Sequence, residues 1–143
     1  FLLFYMMETL SIPTQVYHTF TVFPGDLNFV GTLFGGKTLA EMDIVAAKLC
    51  QKLLRFSPTC KEAVTVSVER VNFEKPGRLG DTIDLQARLS ELGKSSISMH
   101  VMVEREDAEG LRERICTAKF KFVAVKDGKA HPHGLEGIVQ DSY

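Results

Sequence analysis

Apolar and polar residues alternate with period two through most of the second half of the chain. Four stretches show the pattern: AVTVSVERVNF (63–73), TIDLQARLSEL (82–92), SISMHVMVERE (96–106) and ICTAKFKFVAV (115–125). This alternation is typical of strands that turn one face to a core. The residues predicted to share a face are Val64, Val66 and Val68; Ile83, Leu85, Ala87 and Leu89; Ile97, Met99, Val101 and Val103; and, facing inward, Cys116, Ala118, Phe120, Phe122 and Ala124.

The first half of the chain has a different pattern. The stretch QVYHTFTVF (15–23) is rich in aromatic and β-branched residues and stops at PGD, which predicts a strand followed by a turn and a loop over 24–34. From Gly35 the apolar residues follow the spacing of one buried helix face, over about 18 residues, until Ser57-Pro58. The predicted stripe is Leu39, Met42, Ala46, Leu49, Cys50 and Leu53.

The order of these elements predicts an α+β fold. The connections between the later strands, KPGRLGD, LGKS and EDAEG, are short turn sequences, so neighbouring strands should pair antiparallel. One-sided alternation then leaves one face of the sheet for the lone helix to cover. We predict a curved antiparallel sheet of about five strands wrapped around one long helix, in a single domain over residues 13–128. Residues 1–12, which include the apolar FLLFYMM, and residues 129–143 are predicted tails.

Charge and cysteine content narrow the function. The chain has 17 Lys and Arg against 18 Asp and Glu, a net charge of -1, which argues against nucleic acid as a partner. FLLFYMM has no basic n-region and is too short to span a bilayer, so no membrane partner is expected. Three widely spaced cysteines, Cys50, Cys60 and Cys116, indicate neither a disulfide framework nor a metal site. We therefore expect a cytoplasmic protein that binds no metal.

The stretch GTLFGGKT (31–38) fits the phosphate-loop pattern G-x-x-x-x-G-K-[ST]. That loop requires a buried parallel strand before it and further βαβ units after it, and neither is predicted here. Nucleotide hydrolysis is therefore excluded as an interpretation. The glycines instead open the helix, where unpaired backbone N–H groups favour negative charge and the absence of Cβ admits a ligand.

Asp43 is the chemically unusual residue of the helix, because it lies on the apolar stripe. A carboxylate there is unfavourable unless it is paired, hydrogen-bonded or used in catalysis. It lies about two turns inside the helix that the glycines open, so an acid and a set of N–H donors close together would make a hydrolytic site. No G-x-S-x-G elbow is present, and His18, His100, His131 and His133 have no placement that indicates a nucleophile partner or a metal site.

Four blocks of this sequence, in this order and spacing, resemble the hotdog-fold acyl-CoA thioesterases, the broad acyl-CoA hydrolase family. They are PGDLNFVGTLFGGKTLAEMD (24–43), VTVSVERVNFEKPGRLGD (64–81), GKSSISMHV (93–101) and CTAKFKFVAV (116–125). The resemblance covers roughly residues 17–125. It implies the hotdog fold and hydrolysis of acyl-CoA thioesters to a free fatty acid and coenzyme A, with coenzyme A as substrate and product and no cofactor.

The resemblance also implies roles for particular residues. Asn28 and Asp43 match the family's catalytic pair, which face each other across a dimer interface, and the N–H groups of Gly35 and Gly36 would polarise the thioester carbonyl. Family members pair two protomers into one continuous sheet and often form trimers of dimers, so a homo-oligomer and possible hexamer are expected. Residues implied to bind coenzyme A are Arg70, Lys75, Pro76, Arg78, Lys94, Ser95 and Ser96. Lys94 stands where Arg is common, which would reduce a bidentate phosphate contact to a point charge.

Two other functions share this fold. A noncatalytic acyl-CoA-binding protein would keep the glycines and basic turns but could lose Asp43. A hotdog dehydratase or hydratase would need a His near the acid to move a proton at carbon, and the segment around Asp26, Asn28 and Gly31 has none. For the hydrolase, Asp43 could act as a general base on water or attack the thioester itself through an anhydride, and the sequence leaves both open.

Overall fold

A computed structural model describes residues 12–139, so the predicted N-terminal tail lies almost entirely outside the described residues. Within these described residues, six strands and one α-helix follow one another. They are β1 (Gln15–Thr21), α1 (Gly35–Leu54), β2 (Glu62–Phe73), β3 (Thr82–Leu92), β4 (Ser96–Glu106), β5 (Arg112–Lys126) and β6 (Lys129–Ala130), with a short 3₁₀ turn at Pro24–Asp26 between β1 and α1.

The strands form one antiparallel sheet in the order β1-β3-β4-β5-β2, and the two-residue β6 pairs with β5. The chain turns back directly from β3 to β4 and from β4 to β5, as short connections require. It must cross the sheet to place β2 beside β5, and this leaves β2 as one edge of the sheet and β1 as the other. The α+β prediction of one helix on a curved antiparallel sheet is confirmed.

The core lies between α1 and the inner face of the sheet. Met42, Ala46 and Leu49 of the predicted helix stripe are fully buried, whereas Leu39 of that stripe is only partly buried. Val45, which the predicted stripe does not include, is fully buried. The predicted inward residues of β3, β4 and β5 are also all buried, with Phe120 the largest of them. Within the described residues, no helix is long and apolar enough to cross a membrane.

The prediction that Val64, Val66 and Val68 share one face is wrong, because β2 contains a bulge. Its register against β5 shifts between Thr65 and Ser67. Thr65 lies opposite the inward Phe122, whereas Val64 lies opposite the outward Val123. A bulge inserts one extra residue and reverses the alternation beyond it. The consequence for the site is that Thr65, a polar residue, faces the helix.

Residues 129–139 pack against the body of the protein, although the sequence predicts a C-terminal tail there. His133 and Leu135 are fully buried, and Val139 is nearly so. The imidazole Nδ1 accepts a hydrogen bond from the Leu135 N–H at 3.0 Å, which leaves Nε2 protonated to donate to the Ser96 carbonyl at 3.0 Å. The segment thereby joins the end of β5 to the turn before β4.

Candidate active site

Asn28 holds the loop before α1 closed. Its side-chain oxygen accepts hydrogen bonds from the backbone N–H groups of Val30 at 3.1 Å and Thr32 at 3.0 Å. Its amide nitrogen donates to the Thr32 hydroxyl at 3.0 Å. An Asn amide carries two N–H groups, so one donor remains for a ligand. The loop therefore fixes a single N–H donor in place, as a residue that orients a carbonyl or a water would need.

The first turn of α1 lacks a side-chain cap. Phe34 occupies the N-cap position and its side chain cannot accept a hydrogen bond, so the N–H groups of Gly35 and Gly36 have no capping partner. These donors lie at the positive end of the helix dipole. A Cβ on Gly36 would overlap the Phe34 ring, so glycine lets that ring lie against the helix start. The arrangement suits an oxygen that gains negative charge during a reaction.

Lys37 is engaged by acids rather than free for a phosphate. Its Nζ lies 2.9 Å from Glu41 and 3.8 Å from Asp26, and it also lies over the Phe20 ring. The hydrogen bond that Lys37 donates to Glu41 raises the Lys37 pKa, with further contributions from the charges of Glu41 and Asp26. In a phosphate loop this lysine would contact the nucleotide. Here it pairs with Glu41 and Asp26 instead, which supports the rejection of the phosphate-loop interpretation.

Asp43 is half-buried and hydrogen-bonded to β2. The Thr65 hydroxyl donates to its Oδ1 at 2.8 Å. A donor of this kind holds the carboxylate in one rotamer. Sequence reasoning missed Thr65, because strict alternation from Val64 to Val68 would turn it away from the helix. The only signal was a hydroxyl residue among valines, which is common in strands and indicates no particular function.

Two of the residues implied to bind coenzyme A lie beside the helix start. Gly35, Lys75 and Pro76 line one depression with a volume of about 340 Å³. The turn that carries Lys75 is anchored by Asp81, which accepts hydrogen bonds from the Arg78 N–H and from Arg105 Nε, both at 2.7 Å. The hydrogen bond to Asp81 raises the Arg105 pKa. The predicted thioester site and this turn are therefore adjacent in one protomer.

Arg78 lies on the same turn as Lys75, and the remaining residues of that set lie elsewhere. Arg70 lines a separate depression with strand residues such as Arg88 and His100. The turn at 94–96 lies at the opposite end of the sheet from Lys75, since it joins β3 to β4 while Lys75 follows the end of β2. Its backbone is held by the C-terminal segment, because the His133 N–H donates to the Lys94 carbonyl at 3.1 Å. One protomer does not bring the whole set together.

The expectation that Asp43 and the N–H donors of the helix start lie close together fails within one protomer. Asp43 follows Gly36 by seven residues, which is about 10 Å along the helix axis at ~1.5 Å per residue. A general base must lie within hydrogen-bond reach of the water that it activates. Asp43 therefore cannot serve a carbonyl bound at the start of its own helix.

Two of the cysteines, Cys50 and Cys116, are not activated as nucleophiles. Burial raises the pKa of Cys50 to about 12, and burial, with a smaller contribution from Glu74, raises that of Cys116 to about 11. Both thiols are protonated at neutral pH, and a protonated thiol is a poor nucleophile. Among the described residues, no three His, Cys, Asp or Glu side chains cluster as metal ligands would.

Comparisons with known proteins agree on this class of fold. The hexameric thioesterase of Yersinia pestis superposes with a TM-score of 0.74 at 32% identity, over 81% of this chain and 92% of that one. The acyl-CoA thioester hydrolase YciA of Salmonella typhimurium is 35% identical over 119 residues, 80% of this chain and 86% of the relative. A relative from Haemophilus influenzae, an uncharacterized acyl-CoA thioester hydrolase, is 36% identical over 71% of this chain, but the match spans only 66% of its own length.

The curved sheet around one helix matches solved structures of hotdog thioesterases. The predicted fold is therefore confirmed. The model of the thioesterase superfamily matches residues 30–111, which include the start of α1, Asp43 and the turn at Lys75. The chain belongs to the thioesterase superfamily.

Proposed function

We propose that this thioesterase hydrolyses acyl-CoA to a free carboxylic acid and coenzyme A, at a site shared between two protomers. The names of the relatives support the substrate class. The main evidence for a shared site is the separation of about 10 Å, within one chain, between Asp43 and the N–H donors at the helix start. A second protomer must supply the acid that one protomer lacks at its helix start.

The β2 edge is the surface on which the second protomer fits. No strand within residues 12–139 pairs with its free side, and Val64, Val66 and Val68 are 50%, 51% and 41% exposed. Ile44 of α1, next to Asp43, is 47% exposed. An apolar sheet edge of this length invites pairing with another strand. Antiparallel pairing of two β2 strands would join the two sheets into one and cover this surface.

Such pairing also explains why the residues implied to bind coenzyme A lie at two ends of the sheet. A two-fold axis through the β2 pair reverses the direction of the second sheet. The turn of Lys75 in one protomer then lies at the same end of the joined sheet as Lys94 of the partner subunit. The two turns and the helix start of one protomer thus face a common side, as one long coenzyme A molecule would need.

A groove beside Asp43 suits the acyl chain. It lies between α1 and β2, has a volume of about 530 Å³, and is walled by apolar residues such as Ile44, Ala47, Leu54 and Val64. Burial of each methylene of an acyl chain contributes about 0.8 kcal/mol. Lys48 and Lys61 also line the groove. Because Ile44, the residue after Asp43, lines the groove, an acyl chain bound there would bring its thioester end close to the carboxylate.

The proposed reaction adds water across the thioester. N–H groups of Gly35 and Gly36 polarise the carbonyl, and Asn28 donates its remaining N–H to the carbonyl or the water. Asp43 of the partner subunit takes a proton as the water oxygen bonds to the carbonyl carbon. The tetrahedral intermediate then breaks the C–S bond, and the departing thiolate of coenzyme A regains the proton. The protein groups suffice for each step, so we propose that no cofactor takes part.

Acyl-CoA hydrolysis is tested by a panel of acyl-CoA thioesters of increasing chain length, read by release of free thiol. We expect turnover that persists in EDTA. The control is the same chain with Asp43→Asn, which should bind acyl-CoA without releasing thiol. If the unmodified chain bound acyl-CoA but released no thiol, it would be a noncatalytic acyl-CoA-binding protein rather than a hydrolase.

Assembly is the next prediction. We expect sedimentation of a dimer or a multiple of it, a trimer of dimers in the complete assembly, and no active species at the chain mass of 16.0 kDa. Val66→Glu should place a charge in the β2 seam, dissociate the assembly and abolish activity. Leu111→Glu is the matched control, because Leu111 is 58% exposed at the turn between β4 and β5. A fully active monomer would contradict the shared site.

We also propose that the protein is cytoplasmic. Cys50, Cys60 and Cys116 are all free and buried. Free thiols in a chain without disulfides are typical of a reducing compartment.

A further inference from the structure

The outer face of the sheet, opposite α1, carries a basic depression. Its volume is about 400 Å³, and among the residues that the structure describes no acidic side chain lines it. Asn72, Gln86 and Thr117 supply further polar groups. The basic side chains that line it come from four strands: Arg70 of β2, Arg88 of β3, His100 of β4, and Arg114 and Lys119 of β5.

Strand register places three of these side chains in one row. Arg88 lies directly opposite His100, and His100 lies directly opposite Lys119. Basic residues in directly opposite positions repel one another when charged, whereas an acid opposite a base would attract it. At the two positions opposite His100 the sheet has bases rather than acids. Acids do border the row, since Glu69 lies opposite Lys119 and Glu104 opposite Arg114. Within the described part of the chain, however, none of the five basic side chains has an acid within 4.0 Å.

The other end of the same face shows how this sheet pairs its charges elsewhere. Arg112 lies 3.0 Å from Asp84, 3.5 Å from Glu104 and 3.0 Å from Glu106. The four permanent cations of the depression, Arg70 among them, have no such partners in a chain whose net charge is only -1. The depression therefore concentrates positive charge that forms no ion pair within 4.0 Å among the described residues.

Arg70 adds backbone evidence. Its φ is 54°, in the left-handed region that is unfavourable for a residue with a long side chain, at a second bulge of β2 between Glu69 and Asn72. The bulge turns Arg70 toward the depression with Asn72. An unfavourable conformation that brings a cation to an already basic site suggests selection for a ligand.

We propose that this depression binds a multivalent phosphate-type anion. Three guanidinium groups provide the planar donor forks that match phosphate oxygens, and Lys119 adds a point charge. The volume accommodates a di- or triphosphate. Two sources share this chemistry: the phosphates of a bound coenzyme A, and a free polyphosphate. The proposal goes beyond hydrolysis, because the depression lies on the face of the sheet away from Asp43.

The test uses tripolyphosphate as the probe and measures its binding to the assembled protein by calorimetry at low salt. The double substitution Arg88→Gln and Lys119→Gln should weaken binding at least about tenfold, since each charged hydrogen bond to phosphate is strong. The control removes the same charge elsewhere, by Lys126→Gln and Lys129→Gln on the exposed β5–β6 turn. That variant should bind as the unmodified chain does, within about twofold, if the charge of the depression rather than net charge binds the anion.

The two sources separate in the same variants. If the anion is part of coenzyme A, tripolyphosphate should compete with acyl-CoA, and the Arg88 and Lys119 variant should raise KM with little change in kcat. If the anion is free, coenzyme A and tripolyphosphate should bind together, and KM should not change. Absence of binding to the unmodified chain, or equal weakening in both double variants, would overturn the proposal. Because binding is measured without turnover, this failure is distinct from failure to hydrolyse acyl-CoA.

Discussion

Replacing Asp43 by Asn should lower kcat by roughly 10² to 10⁴, the range typical of lost general-base catalysis. The fold should survive, because the Asn side chain is nearly isosteric and its oxygen can still accept the hydrogen bond from Thr65. What is lost is the ability to take a proton from water. The measurement is thiol release at saturating acyl-CoA, together with circular dichroism and the thermal midpoint to show an unchanged fold.

The hydrogen bond from Thr65 offers a graded companion to that variant. Thr65→Val should lower kcat by about tenfold, because the carboxylate loses the donor that fixes its orientation. Thr19→Val is a matched control. Thr19 donates the same kind of hydrogen bond to Asp84 at 2.7 Å on the outer face, far from Asp43. An Asp43→Asn variant with undiminished turnover would remove Asp43 from the mechanism.

Label transfer separates the two chemical roles of Asp43. If the carboxylate attacks the thioester directly and water then attacks the Asp43 carbonyl carbon of the anhydride, heavy-oxygen water should place label in Asp43 during a single turnover. If Asp43 acts as a general base, label should enter only the released fatty acid. The half-buried position of Asp43 and its bond to Thr65 suit a base that keeps one fixed orientation.

The elements of this fold follow from local patterns of sequence. In β3, β4 and β5 the alternating apolar residues are the buried ones, because the part of each strand that packs on the helix keeps the same face toward it. The stripe of α1 is equally local. In β2 the bulge after Thr65 defeats the same reasoning, since an inserted residue leaves no signature in a run of valines.

The candidate site was less accessible from sequence than the fold. The block around Asn28, Gly35 and Asp43 identifies the residue types but not the distance between them. Helix geometry alone separates Gly36 from Asp43, and only the exposed β2 edge shows how a second chain could close that gap. His133 was also hidden, because burial of a histidine in a segment rich in Pro and Gly depends on tertiary packing against β4.

A shared site makes a specific prediction for mixtures of inactive variants. Asn28→Ala alone should lower kcat by about 10² to 10³, as removal of one oriented donor does. When Asn28→Ala chains exchange with Asp43→Asn chains, one site of each mixed dimer receives both intact residues and the other receives neither. Random pairing of equal amounts makes half of the dimers mixed, so about a quarter of the activity of the unmodified protein should return.

The control for that mixture places both changes in one chain. When a chain with Asn28→Ala and Asp43→Asn exchanges with unmodified chains, each site of a mixed dimer carries one defect, so only the unmodified dimers, about a quarter of the total, remain active. A site contained within one chain predicts the opposite pattern, with no recovery in the first mixture and about half activity in the second. Mass measurement of the mixed dimers establishes exchange in both cases. If mixed dimers form and the first mixture stays inactive, Asn28 and Asp43 do not act across the β2 seam, and the distance between Gly36 and Asp43 would have to be closed by a change within one protomer.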